Sequence, residues 1–338
     1  MSDDADPLHR IIARKVRANG LNPRWWVTNA YPWLRRRLRD AAFRGLMDLR
    51  RRDAFDHYEA EWDNLVILDA CRYDLFASTH DLPGELEQRR SKGSATSEWL
   101  RRHFAHRDAH DTVYVTANPM YRATEWVGAD LSGTFHDVID ITEGAFVEDG
   151  TTMPYTVAAA AAWAADEYPN KRLLVHFMQP HHPFVSAFAR ERGLLDPEMR
   201  LRQFATEGET HRDAGPWQTW SRQVDEGDLP VETLWRAYRD NLKLALPAVH
   251  DLLDALDGRT VVTSDHGNML GERATPFAET VWGHPQEYQT PELVGVPWLV
   301  TNPDAPRRAT TADPPIDRTA RDAADDELSD RLSALGYA

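Results

Sequence analysis

The sequence predicts an α/β protein built on a doubly wound, mostly parallel sheet with helices on both faces. Three observations carry that prediction. Short apolar runs rich in Val, Ile and Leu recur through the middle of the chain, stretches of helical periodicity separate them, and polar residues of chemical interest follow several of the runs. Unbroken apolar strands are buried on both faces, and helices between strands impose parallel crossovers. At 338 residues there is chain enough for one large domain or two ordinary ones.

Residues 1–58 read as a helical N-terminal arm, with Pro32 to Leu38 and then Leu46, Met47 and Leu49 among basic residues. Trp25, Trp26 and Trp33 beside Arg35, Arg36 and Arg37 admit two readings. One is a helix lying on anionic lipid, a peripheral membrane contact. The other packs the aromatics on the main domain and turns the arginines to solvent, the commoner use of an amphipathic helix.

Residues 59–303 read as the α/β domain. Its strands are Leu65–Leu68, Thr112–Thr116, Arg172–Phe177, Thr260–Thr263 and Val296–Val300. Leu234, Tyr238, Leu242, Leu246, Val249 and Leu253 recur at helical spacing and predict a long helix over about 231–256 covering one face. Strand signals vanish over 187–228, which reads as an insertion capping the active face, with Trp217 and Trp220 as wall residues. Residues 304–338 read as an acidic linker, loosely held from Asp304 to Asp326, followed by a short helix through Leu328, Leu332 and Leu335.

Charge excludes one class of partner. With 54 acidic against 39 basic residues the net charge is −15, so the surface repels phosphate backbones and no nucleic-acid partner is expected. Only Lys15, Lys92, Lys171 and Lys243 are lysine. Acid excess with scarce lysine resembles the proteins of salt-loving archaea; arginine-favouring codons explain the second feature but not the first. A single cysteine, Cys71, rules out an intramolecular disulfide and a Cys-based zinc site within the chain. No run approaches the roughly 18 apolar residues of a membrane span, and the start Met1-Ser2-Asp3-Asp4 is acidic where a signal peptide is basic. The expectation is a cytoplasmic protein.

Ligands of open α/β sheets bind beyond the carboxyl ends of the strands. There the chain places Asp69, then Gln179-Pro180-His181-His182-Pro183-Phe184, then Ser264-Asp265-His266-Gly267, and later Trp282-Gly283-His284-Pro285. Each has a structural reading alone, Asp69 as a helix cap and His181 or His284 as a satisfied turn residue. Together they supply the mixed oxygen and nitrogen donors of a catalytic divalent cation. Between them, Lys92-Gly93-Ser94-Ala95-Thr96-Ser97 is a Gly/Ser turn opening a helix. Its hydroxyls either cap the helix or act as a nucleophile at an anion-binding helix start.

These motifs over about 60–302, with Leu332-Ser333-Ala334-Leu335-Gly336-Tyr337 at the end, resemble the alkaline phosphatase superfamily, specifically its sulfatase-like branch. The resemblance implies a doubly wound core, one or two divalent ions (Mn²⁺, Mg²⁺ or Zn²⁺), and transfer or hydrolysis of a phosphoryl or sulfuryl group through a covalent intermediate. Asp69, Asp265 and His266 match metal ligands, His284 a ligand or a group-binding residue, and His181 the histidine contacting the transferred group. Thr96 matches the nucleophile, with Ser94 second. Lys92, His182 and Arg72 are candidate contacts for an anionic ester, of a small molecule, glycan or lipid headgroup. Two departures matter. Ala70 stands where sulfatases usually carry a second acid, and Cys71 lies outside the Cys/Ser-x-Pro-x-Arg signature, so formylglycine chemistry is not expected. Loss of catalysis in favour of a scaffolding role is the competing reading.

Overall fold

The computed structural model describes residue 17 and residues 31–142, 150–195, 216–274 and 279–316. The chain divides into two compact units, residues 1–52 and 53–338. The described part of the first is helix α1 (Tyr31–Arg51), closed at its basic end by an Arg51–Asp48 ion pair at 2.6 Å. The arm therefore ends six residues earlier than expected. Phe55 N–H already bonds the Arg90 carbonyl within the second unit. Trp25, Trp26 and the side chains of Trp33 and Arg35 to Arg37 lie outside the described residues, as do Leu328, Leu332 and Leu335.

The second unit is built on a seven-stranded sheet. Its strands are β1 (Asn64–Leu68), β2 (Glu85–Arg90), β3 (Ala109–Thr116), β4 (Phe135–Asp140), β5 (Arg172–Phe177), β6 (Thr260–Thr263) and β9 (Gly295–Val300), in the order β2-β9-β6-β1-β5-β3-β4. From β6 to β4 every neighbouring pair is parallel; β9 alone runs against β6 and β2. All five expected strands are present. The four others are less apolar: β2 is the polar edge sequence Glu-Leu-Glu-Gln-Arg-Arg, β4 is the opposite edge with His136, Asp137 and Asp140 among its apolar residues, and β7 (Met269–Ala274) and β8 (Glu279–Gly283) form a separate antiparallel pair. Polar alternation on an edge suits a strand with a solvated side, which an unbroken-run criterion does not detect.

Both faces of the sheet are buried, as the strand composition requires. Along β1, Val66 and Leu68 join one cluster while Leu65 and Ile67 join the other. The first cluster takes Val157, Ala160 and Ala161 from α3 (Pro154–Glu167) and Leu234, Tyr238, Leu242 and Val249 from α4 (Val231–Ala255). The second takes Trp99, Leu100 and Phe104 from α2 (Thr96–Phe104). The long helix ends within a residue of its expected limit. Fully burying each Leu or Val contributes about 1.5–3 kcal/mol, so these two layers dominate the cohesion of the unit.

One expectation is reversed over its described part. Residues 304–316 have no helix or strand, yet they are not loosely held. Arg307 Nε and Arg308 N–H both bond Asp63 Oδ1 at 3.0 Å, Lys171 Nζ bonds Asp313 at 2.7 Å, and Ile316 N–H bonds the His136 carbonyl. Asp63 and Lys171 immediately precede β1 and β5, so this segment straps the amino-terminal edge of the sheet. Composition alone reads as disorder because it cannot count partners elsewhere in the chain.

Candidate active site and metal centre

The opposite, carboxyl-terminal edge collects the functional side chains. Strand β1 lies between β5 and β6, the strands that precede the other two motifs, so Asp69, the 179–184 segment and Asp265-His266 emerge side by side. Just past β1, Ala70 adopts a left-handed conformation (φ 56°), unusual for a residue with a Cβ. This turns its N–H onto Asp265 Oδ1 at 3.1 Å and that of Cys71 onto Ser264 Oγ at 2.8 Å. Where a second acid was expected, the backbone therefore donates to the facing aspartate.

Asp265 and His266 both point into the site. The His266 backbone N–H holds Asp265 Oδ1 at 2.9 Å, freeing Oδ2. The His266 Nδ1–H donates to the Gly267 carbonyl at 2.7 Å, which leaves the Nε2 lone pair facing inward. Gly267 is obligatory in this turn: a Cβ there would overlap the Glu292 carbonyl oxygen at 2.1 Å.

Thr96 completes the group. Its hydroxyl donates to Asp265 Oδ2 at 2.7 Å and lies 3.2 Å from His266 Nε2, with Asp69 Oδ1 across the site 3.7 Å from the same nitrogen. Neither hydroxyl at the helix start caps it: the N-cap is Ala95, with no side-chain bond. Thr96 is thus brought to the donor set, and the capping reading of its hydroxyl does not hold. Ser94 is not brought there. Its Oγ lies 3.0 Å from Glu98 Oε2 and 2.8 Å from the Pro285 carbonyl.

Two further residues at this edge are absent from the sequence-based set. Asn118, two residues past β3, donates from Nδ2 to Asp69 Oδ2 at 2.5 Å and lies 3.5 Å from Thr96 Oγ. Its Oδ1 accepts Met120 N–H, which fixes the amide's orientation. His176, inside β5, places Nε2 3.5 Å from Asp69 Oδ2 and 3.9 Å from Asp265 Oδ2, with Nδ1 2.8 Å from the Tyr114 hydroxyl. The strand-end rule that found Asp69 also reaches Asn118; His176 lies inside β5, where that rule does not look.

A second group stands beside the first. His181 Nδ1–H donates to the His182 carbonyl at 2.5 Å, and its Nε2 is 2.9 Å from His284 Nε2. The His284 ring lies 4.6 Å from that of His266. His182 is buried against Trp217 and Trp220, at ring separations of 5.5 and 6.0 Å. Burial, reinforced by neighbouring histidines, pushes both His182 and His284 well below the ordinary imidazole value and keeps them neutral.

Two candidate substrate contacts are engaged elsewhere. Lys92 Nζ pairs with Asp56 at 2.5 Å. Arg72 makes a two-point bond to Asp74 at 2.9 and 2.6 Å, pairs with Glu272, donates to the Asn268 carbonyl at 3.2 Å, and lies under Trp235. Both are structural ties rather than free cations awaiting an anion. The Cys71 thiol is buried, with burial raising its pKa well above normal.

The donor set fits a divalent cation. Asp69, His176 and Asp265 each offer a ligand atom, all within 4.8 Å of one another and buried; His181, His182 and His284 also bring ligand atoms within 4.8 Å of one another, with His182 buried and the other two half-buried. Among the described residues no Arg or Lys pairs with Asp69 or Asp265, and Asp69 Oδ1 and His176 Nε2 are buried without a hydrogen-bond partner. Burial raises the Asp69 carboxyl, but His181, His176 and His266 outweigh it and hold it below the usual carboxylate value. Two buried carboxylates with inward lone pairs from imidazole and hydroxyl form an oxygen and nitrogen cage of the kind such ions take.

No family model matches the chain, and no curated protein matches it in sequence. Among solved structures it is similar to the soluble domain of lipooligosaccharide phosphoethanolamine transferase A from Neisseria meningitidis, at 13% identity and a TM-score of 0.43, covering 70% of this chain and 75% of that one. It is similar also to the C-terminal periplasmic domain of phosphoethanolamine transferase EptC from Campylobacter jejuni, at 13% identity and 0.41, covering 81% and 88%. A putative sulfatase, yidJ, from Bacteroides fragilis matches at 18% identity and 0.26, covering 47% and 33%. At these values no activity passes to this chain by likeness, and its chemistry rests on its own side chains.

Proposed function

We propose that this protein is a metal-dependent enzyme that transfers or hydrolyses a phosphoryl-type group of an anionic ester, using the Thr96 hydroxyl as nucleophile. The observation that supports this reading best is the placement of Thr96 Oγ, 2.7 Å from Asp265 Oδ2 and 3.2 Å from His266 Nε2, inside the cage rather than capping its helix. Asp69, Asp265 and His266 would hold the ion, with Thr96 and His176 as further donors. When bound, a Mn²⁺, Mg²⁺ or Zn²⁺ ion supplies the positive charge that lowers the hydroxyl pKa and binds an ester oxygen.

The chain's own groups do the rest. Asp265 Oδ2 already accepts the Thr96 proton in a hydrogen bond, so that proton has a place to go as the Oγ–P bond forms and the bond to the leaving oxygen breaks. Asn118 Nδ2, oriented because the Oδ1 of the same amide accepts Met120 N–H, is within reach of the nucleophile and of a non-bridging oxygen beside it. In the His181–His284 pair burial keeps His284 neutral, so it would serve as the base that takes the proton of water or of an acceptor alcohol freeing Thr96, while the proton for the leaving oxygen would come through His181. Histidine, amide and aromatic groups line this side, which suits a glycan or lipid-headgroup ester better than a highly charged polymer.

The test is turnover of matched aryl phosphate and aryl sulfate esters with each metal, for wild type, Thr96→Ala and Thr96→Ser. Phosphate ester turnover that falls at least about a thousandfold in Thr96→Ala and partly returns in Thr96→Ser is expected. Metal binding without turnover of either ester would leave the scaffolding reading standing, and faster sulfate turnover would overturn the substrate class.

A further inference from the structure

The turn that leads into α2 and the loop that follows β8 come from opposite ends of the domain sequence, yet they meet at one buried carboxylate. Glu98 Oε2 accepts the Ser94 backbone N–H at 3.0 Å, faces Ser94 Oγ at 3.0 Å, and accepts the Glu287 backbone N–H at 3.0 Å. Its Oε1 accepts Arg102 Nε at 2.7 Å. Around it, Ser94 Oγ also meets the Pro285 carbonyl at 2.8 Å and accepts Tyr288 N–H at 3.2 Å, while Gln286 Nε2 donates to Ser97 Oγ at 2.7 Å. Arg101 and Arg102 close the arrangement on the Glu287 carboxylate at 2.8 and 2.9 Å. Glu287 itself is held at φ 68°, a left-handed conformation that a residue with a Cβ adopts only under constraint.

We propose that Glu98 is a positioning residue that sets the separation between the nucleophile Thr96 and the His181–His284 pair. The proposal rests on the reading of Thr96 as nucleophile. Thr96 lies two residues from Ser94, and His284 immediately precedes Pro285, so Glu98 joins the backbones that carry both reactive groups. Arg102 alone would neutralise the buried Glu98 charge. The second oxygen is spent instead on two backbone donors 193 positions apart in sequence, a geometric use of the carboxylate. Sub-ångström placement of reacting groups is worth large factors in rate, because a 1 Å error costs on the order of a hundredfold.

The experiment uses the full chain with Mn²⁺ and an aryl phosphate ester, measuring kcat, KM and Mn²⁺ affinity for Glu98→Ala, Glu98→Gln, Ser94→Ala, His284→Ala and the doubles with His284→Ala. Glu98→Ala is expected to lower kcat about a hundredfold with Mn²⁺ affinity and KM within about twofold. Glu98→Gln, whose amide oxygen can still face both backbone donors, restores most of the rate. Because the clamp acts on the position of His284, Glu98→Ala costs little more in the His284→Ala background. Should Glu98→Ala fail to fold, the Ser94→Ala and His284→Ala cycle carries the same expectation. Unchanged kcat, fully multiplicative doubles, or Mn²⁺ affinity falling in step with kcat would overturn the clamp. If Ser94→Ala abolishes turnover while Thr96→Ala does not, or if wild type turns over no ester with any metal, the nucleophile reading falls and the clamp with it.

Discussion

At pH 8, above the ordinary imidazole range, replacing Asp69 with asparagine should make the metal-free protein more stable while removing its response to metal. The reason is the pair of buried carboxylates, whose ligand oxygens lie within 4.8 Å of each other with no Arg or Lys between them among the described residues. At an effective dielectric of about 20, two unit charges at that distance repel by about 3.5 kcal/mol. Asparagine keeps an oxygen for Asn118 Nδ2 and turns an N–H toward the His266 Nε2 lone pair, now 3.7 Å from Asp69 Oδ1. If half the repulsion is relieved, the gain is about 1.5–2 kcal/mol, or roughly 3–6 °C in Tm for a domain of this size. Wild type, by contrast, should gain about 2.7 kcal/mol from an ion at 100 times its Kd, and Asp69→Asn almost none. Calorimetry at pH 8, with EDTA and then with Mn²⁺, Mg²⁺ or Zn²⁺, reads both effects. A lower metal-free Tm for Asp69→Asn, or no gain for wild type with any of the three ions, would show that the two aspartates are not a strained cation cage.

Two other outcomes follow from groups outside the cage. Burial lowers His103 from 6.5 to about 4. The unfolded chain therefore binds more protons between those values, and stability present above pH 6.5 is lost as pH falls toward 4, with His57, His182 and His284 shifted in the same direction. Tm measured from pH 7 to pH 4 should fall, and less steeply in His103→Gln; equal slopes would refute the assignment. Lys92→Met breaks the Asp56 pair at 2.5 Å and should lower stability by about 1 kcal/mol, yet leave KM for an anionic ester within about twofold. A tenfold rise in KM would mean that Lys92 reaches substrate after all.

Much of this site is legible in sequence because sheet topology, not side-chain detail, gathers it. A residue just past an apolar run must sit at one edge of a parallel sheet, so Asp69, Asp265 and His266 are found by position. Choosing between hydroxyls is different: Ser94 and Thr96 are two residues apart, and what separates them is the contact of Ser94 with Glu98 and the distant Pro285. Lys92 and Arg72 mislead for the same reason, since a cation near a strand end suggests an anion site until Asp56 and Glu272 are seen beside it. His176 is hidden by its surroundings, because a strand of five other buried residues reads as core throughout.

The cage also bears on whether this chain has kept chemistry at all. Folding gains nothing from placing Asp69 and Asp265 in the interior: burying an ion costs several kcal/mol unless a partner compensates it, and here the nearest partners are histidines and an amide. Nor does folding need Ala70 at φ 56°, which costs on the order of 1 kcal/mol and turns its N–H toward Asp265. A scaffold would be stabilised by replacing both carboxylates with apolar side chains, as buried ionic groups commonly are. The strain is concentrated at the one edge where Thr96 abandons helix capping to face Asp265. Local costs that converge on a single hydroxyl are the pattern expected of a site shaped by a bound cation and a reaction, rather than by the fold around it.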